Sequence, residues 1–223
     1  MTNIPLFISS HPLFASLSEE DLKIMYQSGF SRQYPKGGII TLAGDIWPYL
    51  FLVLEGTVTA LKESSEGRSL IIATFETGEL FWGTAFFQDN APMPVSLEVR
   101  KTTKIMVWSR ENILPIFLNH GDMSWELCRV MVNRMMRASE IVEGLAFQPV
   151  AGRVAGLLLE NYPSDHDFTS RNLTLDEMAA RIGTTREMVC RVLHGFSDKG
   201  LITITRTEFS IINRQQLDEL AQK

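Results

Sequence analysis

The pattern of apolar and polar positions changes period near Trp108. Before it, short runs rich in β-branched and aromatic residues recur over residues 39–42, 50–54, 57–61, 69–75, 95–99 and 104–108. Turn-forming stretches divide them, among them Pro35-Lys36-Gly37-Gly38, Gly44-Asp45, Glu55-Gly56 and Thr77-Gly78. Many short strands at near-regular spacing predict an antiparallel β-roll or barrel, preceded by an amphipathic helix over residues 18–26 that Ser18 caps. After Trp108 the spacing is helical: a short helix over 109–118, then a long one from His120 to about Leu145. On the long helix Cys128, Met131, Met135, Ala138, Val142 and Leu145 advance by alternating threes and fours, the seam of a two-helix coil. Leu127, Val130 and Ile141 make a second apolar face suited to packing on the roll. Gln148-Pro149 interrupts the helix, residues 150–162 resume it, and 163–172 read as a polar loop.

The last quarter carries the sharpest pattern. Thr174 followed three residues on by Glu177 is a capping box, with Met178, Ala179 and Ile182 at helical spacing behind it. Gly183-Thr184-Thr185 ends that helix and offers Thr185 as the cap of the next. The second helix, residues 186–196, turns Val189, Val192, Leu193 and Phe196 to one face and Arg186, Glu187 and Arg191 to the other. A short helix, a glycine turn and a helix with an Arg-Glu-Arg edge form a helix-turn-helix that can read the major groove. A guanidinium meets guanine O6 and N7, and glutamate accepts from cytosine N4, so this edge favours G·C pairs. Residues 201–205 and 209–212 predict a hairpin wing whose Arg206 stands to reach phosphate, before a closing helix over 214–220. Thr174 and Thr185 complete the candidate DNA contacts. The ordinary alternative is a solvated helix with a Glu187–Arg191 ion pair.

Composition narrows the class. None of the 223 residues belongs to an apolar run near the ~20 needed to cross a bilayer, and residues 1–5 lack a basic secretory leader. A cytoplasmic protein without membrane contact is therefore expected. The formal net charge of −5 runs against DNA binding, yet between Arg181 and Arg206 five basic residues stand against two acidic ones. Affinity for a polyanion follows the contacting face rather than the whole chain. Two cysteines, Cys128 and Cys190, cannot supply a four-cysteine iron–sulfur cluster or a structural zinc site, so no metal is expected. No nucleophile–base set or phosphate loop occurs locally, and the chain does not read as an enzyme.

This order of parts resembles the bacterial catabolite-activator and fumarate–nitrate regulator (CRP/FNR) family. The resemblance rests on Leu145-Ala146-Phe147-Gln148-Pro149-Val150-Ala151-Gly152-Arg153-Val154-Ala155 and on Arg186-Glu187-Met188-Val189-Cys190-Arg191, with Gly37-Gly38, Gly44-Asp45 and Leu54-Glu55-Gly56 in the roll. It implies an α+β chain: a sensory β-roll of the cyclic-nucleotide-binding type over residues 1–118, a dimerisation helix and hinge over 119–148, and a winged helix-turn-helix over 149–223. It also implies a homodimeric regulator that reads a palindromic operator with TGTGA-like half-sites. Double-stranded DNA, RNA polymerase and a second copy of the chain are then the partners, with an effector sensed by the roll.

The departures concern that effector. Against the family's cyclic-nucleotide cassette, the ribose-holding glutamate falls at Thr84, the phosphate arginine near Met93, and the helix hydroxyl pair at Ala138-Ser139. No basic residue lies between Arg68 and Arg100, so a buried phosphodiester lacks a charged partner there and cAMP is not expected. Phe81, Trp82, Phe86, Phe87 and Met93 are either roll core or, with Thr84, Met135, Ala138 and Ser139, the pocket of a hydrophobic effector. The alternatives are a haem-based gas sensor, for which His11 and His120 lie in the sensory half, and a small-molecule-binding module that does not read DNA. The sequence names neither effector nor cofactor.

Overall fold

Period-two patterning becomes two sheets wrapped as a roll, and period-3.6 patterning becomes the helices that follow. The computed structural model describes residues 4–162, 168–170, 172–205 and 208–222. The chain divides into two units, Met1–Lys62 with Ile72–Met136, and Glu63–Ile71 with Arg137–Lys223. The division falls within the long helix.

The first part contains α1 (Ile4–Ser9), a 3-10 turn at Pro12–Phe14, and α2 (Glu19–Ser28). Then come β1 (Phe30–Tyr34), β2 (Ile39–Thr41), β3 (Tyr49–Glu55), β4 (Thr57–Glu63), β5 (Ser69–Glu76), β6 (Leu80–Trp82), β7 (Ser96–Val99) and β8 (Thr103–Ser109). The sheets run β1-β8-β3-β6 and β2-β7-β4-β5. The pairings of β8 with β1 and β3, and of β7 with β2 and β4, are antiparallel. Successive side chains of β3 serve two cores, which explains its unbroken apolar run. Leu50, Leu52 and Leu54 pack with Phe14, Met25 and Trp108 on the helix side. Phe51 and Val53 pack with Phe75, Phe81, Met93 and Val107 inside the roll. Trp108 is fully buried and donates its indole N–H to the Met25 carbonyl at 2.7 Å, so its polar end is satisfied as burial requires.

Next come α3 (Arg110–Asn119) and α4 (Gly121–Phe147). Met123 and Leu127 of α4 are buried in the helix-side core, and Val130 and Ile141 are half-buried. The predicted seam points elsewhere: Cys128, Met131, Met135, Ala138, Val142 and Leu145 are all exposed. Two faces, one covered and one open, are what the heptad pattern required.

The second part holds α5 (Val150–Asn161), β9 (Thr169–Ser170), α6 (Leu175–Ile182), α7 (Arg186–Asp198), β10 (Ile202–Ile204), β11 (Glu208–Ile211) and α8 (Arg214–Ala221). Its core gathers Val154, Leu158, Val189, Leu193, Phe209 and Leu217. The wing is a three-stranded sheet, β10-β11-β9. Its third strand falls in the stretch expected to be a loop, of which residues 163–167 and 171 lie outside the described residues. Two residues are too few to show a period, and only the pairing of Thr169 with Phe209 reveals the strand. Sequence patterning also passed over β1, whose Ser31 and Gln33 alternate with Phe30, Arg32 and Tyr34 in a run of low hydrophobicity.

Candidate nucleic-acid interface

Local chemistry fixes the geometry of the helix-turn-helix. The Thr174 hydroxyl accepts from the Glu177 N–H at 3.1 Å while the Glu177 carboxylate accepts from the Thr174 N–H at 3.0 Å, closing the capping box. Gly183 ends α6 in the left-handed region at φ 66° and ψ 48°, a conformation that costs a residue with a Cβ about 1–2 kcal/mol. The Thr185 hydroxyl accepts from the Met188 N–H at 3.3 Å and starts α7. Val189, Leu193 and Phe196 then anchor one face of α7 in the core. That leaves Arg186, Glu187 and Arg191 exposed.

The three charged residues line one surface groove of about 660 Å³ together with Cys190, His194 and Asp198. The structure thus brings together Arg186, Glu187 and Arg191 and adds His194, which lines the same groove. Its signal was present: Arg191 to His194 is three positions and Cys190 to His194 four. The Cys190 Sγ lies 3.8 Å from His194 Nδ1. Arg186 reaches Asp176 at 3.5 Å, a pair exposed enough to open at little cost. Its own backbone N–H, the Thr185 hydroxyl and neighbouring Arg186 hold the Glu187 carboxyl below the usual carboxylate range, so near neutrality it only accepts hydrogen bonds. Thr174 and Thr185 are present as caps, their hydroxyls engaged by the backbone. Arg206 lies outside the described residues.

Behind this edge Arg153, half-buried, fastens two helix ends. Its guanidinium donates to the Gly144 carbonyl at 3.0 Å and the Gln148 carbonyl at 2.5 Å, and its Nε to the Ile182 carbonyl at 2.9 Å. The carbonyl ends of α4 and α6 are where a cation belongs, because the last carbonyls of a helix lack N–H partners. Burial lowers the Arg153 pKa, and the side chain nevertheless stays a cation.

The candidate effector residues separate. Phe81 and Met93 lie inside the roll, while Phe86 belongs to the helix-side core with Trp82 against it. Thr84 is half-buried, and Phe87, Met135, Ala138 and Ser139 are exposed. Met93, the position near which the resemblance sets the phosphate arginine, is 4 % exposed among Phe51, Val53 and Phe75, and a buried phosphate beside its thioether would lack a cation. The residues present do not fit a cyclic nucleotide. A guanidinium does reach the roll, but from α4: Arg134 lies 4.8 Å over the Phe75 ring and 4.3 Å over the Trp82 ring, and donates to the Leu80 carbonyl. Sequence reasoning missed it, although its sign was a charge four positions on from Val130 and seven on from Leu127, on the covered helix face.

Both histidines of the sensory half are engaged. His11 Nδ1 accepts from the Leu13 N–H at 3.1 Å and its Nε2 meets the Gly78 carbonyl at 2.9 Å, while His120 Nε2 lies 3.3 Å from Asp21. Among the described residues no three His, Cys, Asp or Glu side chains converge as a metal site, and no helix is long and apolar enough to cross a membrane.

Comparison with known proteins gives a consistent picture. A family profile described as a Crp-like helix-turn-helix domain matches residues 152–220, and one described as a cyclic nucleotide-binding domain matches residues 31–120. The chain is 27 % identical over 212 residues to the cyclic AMP receptor protein of Thermus thermophilus, covering 94 % of this chain and 96 % of that one. It is 29 % identical over 181 residues to the cAMP-activated global transcriptional regulator Vfr of Pseudomonas aeruginosa, covering 78 % and 85 %. In fold it is similar to a crystal structure of a crp/fnr-family transcriptional regulator from Eubacterium rectale, with a TM-score of 0.79 at 22 % identity over 95 % of this chain and 98 % of that one.

Proposed function

Since the chain belongs to the CRP/FNR family of DNA-binding transcription regulators, which are not enzymes, we propose that it acts as a homodimer whose two α7 helices read the half-sites of a palindromic operator. The observation that carries this reading is the exposed groove on α7 where Arg186, Glu187 and Arg191 stand side by side. Their chemistry selects G·C steps, in keeping with TGTGA-like half-sites. Thr174 and Thr185, the caps of α6 and α7, are assigned to phosphate together with Arg206. The exposed face of α4 supports the dimer: Met135 is 66 % and Val142 64 % exposed, apolar surface at coil spacing that a second copy covers.

In this reading residues 1–118 sense, 119–148 dimerise and relay, and 149–223 bind DNA and present the regulator to RNA polymerase in the cytoplasm. An effector shifts the DNA-competent population only by its different affinity for the two states. The relatives named above are called cAMP receptors or cAMP-activated, but the buried Met93 argues for a different effector here. Fluorescence-anisotropy titration on a TGTGA-type palindrome and on a scrambled duplex tests the reading. Preference for the palindrome, lost with Arg191→Ala, supports it; equal affinity for both duplexes, with and without cell extract as a source of effector, overturns it.

A further inference from the structure

The roll interior contains a file of stacked rings. Trp47 and Phe51 lie 5.7 Å apart at 28°, Phe51 and Phe81 4.6 Å apart at 5°, and Phe81 and Phe75 5.0 Å apart at 19°. Arg134 closes the Phe75 end. The Trp47 end opens into a cleft of about 280 Å³ walled by Phe30, Arg32, Tyr34, Trp47 and Tyr49. The period of β1 sets Phe30, Arg32 and Tyr34 on one face, opposite Val107, Ile105 and Thr103 of β8. Gly83 lets the chain close beneath Trp47, since a Cβ there would come within 1.8 Å of the Trp47 carbonyl oxygen. None of the wall residues is among the positions set against the nucleotide cassette, Thr84, Met93, Ala138 and Ser139.

Two properties of the cleft specify a ligand. Its walls are aromatic, and among them the half-buried Trp47 is the end of a stack that a further flat ring can extend. Among the described residues lining it, Arg32 alone is charged and none is a carboxylate that would compete for it; its guanidinium rests 5.0 Å over the Phe30 ring. We propose that this cleft binds a small planar aromatic anion, its ring on Trp47 and its carboxylate on Arg32. A guanidinium pairs with a planar carboxylate through two parallel N–H bonds, which distinguishes the acid from a neutral arene of the same shape. The volume, near the lower edge of the ~300–1,000 Å³ typical of ligand pockets, restricts the ligand to one or two fused rings.

An effect of such a ligand on DNA affinity rests on the first unit being the sensor; binding itself does not. The test is isothermal titration calorimetry on the full chain with benzoate, 1-naphthoate and the uncharged 1-naphthalenemethanol. Expected is one saturable site per chain for a carboxylate, with the alcohol weaker by about tenfold, the equivalent of one charge-assisted pair. Arg32→Gln removes that preference and leaves the melting temperature unchanged, because the side chain is exposed. Trp47→Leu weakens acid and alcohol alike. Arg186→Ala leaves naphthoate binding intact, which separates failure of DNA reading from failure of this site. No saturable heat from either carboxylate at millimolar concentration overturns the proposal, as does undiminished naphthoate binding by Arg32→Gln.

Discussion

Replacing Arg186 with alanine should weaken operator binding by an amount the structure bounds. In the free chain the guanidinium is 61 % exposed and its partner Asp176, 3.5 Å away, is 70 % exposed. Such a pair contributes about 0.2–1 kcal/mol, whereas a bidentate contact to guanine contributes about 1–3 kcal/mol of discrimination. Docking exchanges the first for the second, so each half-site loses about 1–2 kcal/mol and a palindrome about 2–4 kcal/mol, roughly 30- to 700-fold in Kd. The same exchange predicts that Asp176→Asn tightens binding, by about 0.2–1 kcal/mol per half-site, because Arg186 is released beforehand. Anisotropy titrations at fixed salt, on the palindrome and on duplexes with single changed base pairs, read both effects. If Arg186→Ala weakens scrambled and cognate duplexes equally, the side chain holds phosphate and does not read a base. If Asp176→Asn leaves Kd unchanged or raises it, the exchange does not occur.

Arg153→Ala removes three hydrogen bonds that satisfy the ends of α4 and α6, and should cost about 2–3 kcal/mol in denaturant unfolding, while Arg153→Lys recovers only part of it. Val142→Glu places a carboxylate on the exposed face of α4; sedimentation should show monomers, and operator affinity should fall with the loss of the second half-site. His11 is held neutral, since its Nδ1 accepts a backbone N–H and its burial lowers its pKa. The folded value lies below the unfolded value of about 6.5, so this stabilisation is complete above that pH and erodes as pH falls through it towards the folded value. Melting temperatures from pH 8 to 5 should therefore fall less steeply for His11→Gln than for the parent chain.

The legible features were those with local causes. The capping box at Thr174 and Glu177, the left-handed turn at Gly183 and the cap at Thr185 each need only residues within three or four positions, and all three occur as the pattern requires. The two faces of α4 were equally plain, because helical spacing states which side chains share a side. Contacts made across the fold were not legible. Arg153 and Arg134 find their carbonyls and rings only after distant segments meet, and a lone arginine in an apolar helix face does not name its partner. The aromatic cassette illustrates the same limit: neighbours Phe81 and Phe86 went to different cores because a turn at Gly83 separates them.

One reading edge is too little for a regulator, and this links the open face of α4 to the chemistry of α7. Three base-reading side chains contribute about 1–3 kcal/mol of discrimination each, so one copy reaches about 3–9 kcal/mol. Competing with about 10⁶ nonspecific sites demands about 8 kcal/mol, which one copy meets only if every contact is near its best. Two copies on one palindrome double the figure and clear that threshold with ordinary contacts. The acidic surface elsewhere on a chain of net charge −5 sharpens the requirement, since it weakens the sequence-independent attraction that a basic protein could rely on. In the proposed reading, the exposed Met135, Val142 and Leu145 are therefore the counterpart of the Arg-Glu-Arg edge: the edge is to supply selectivity, and the seam the second copy that makes it sufficient.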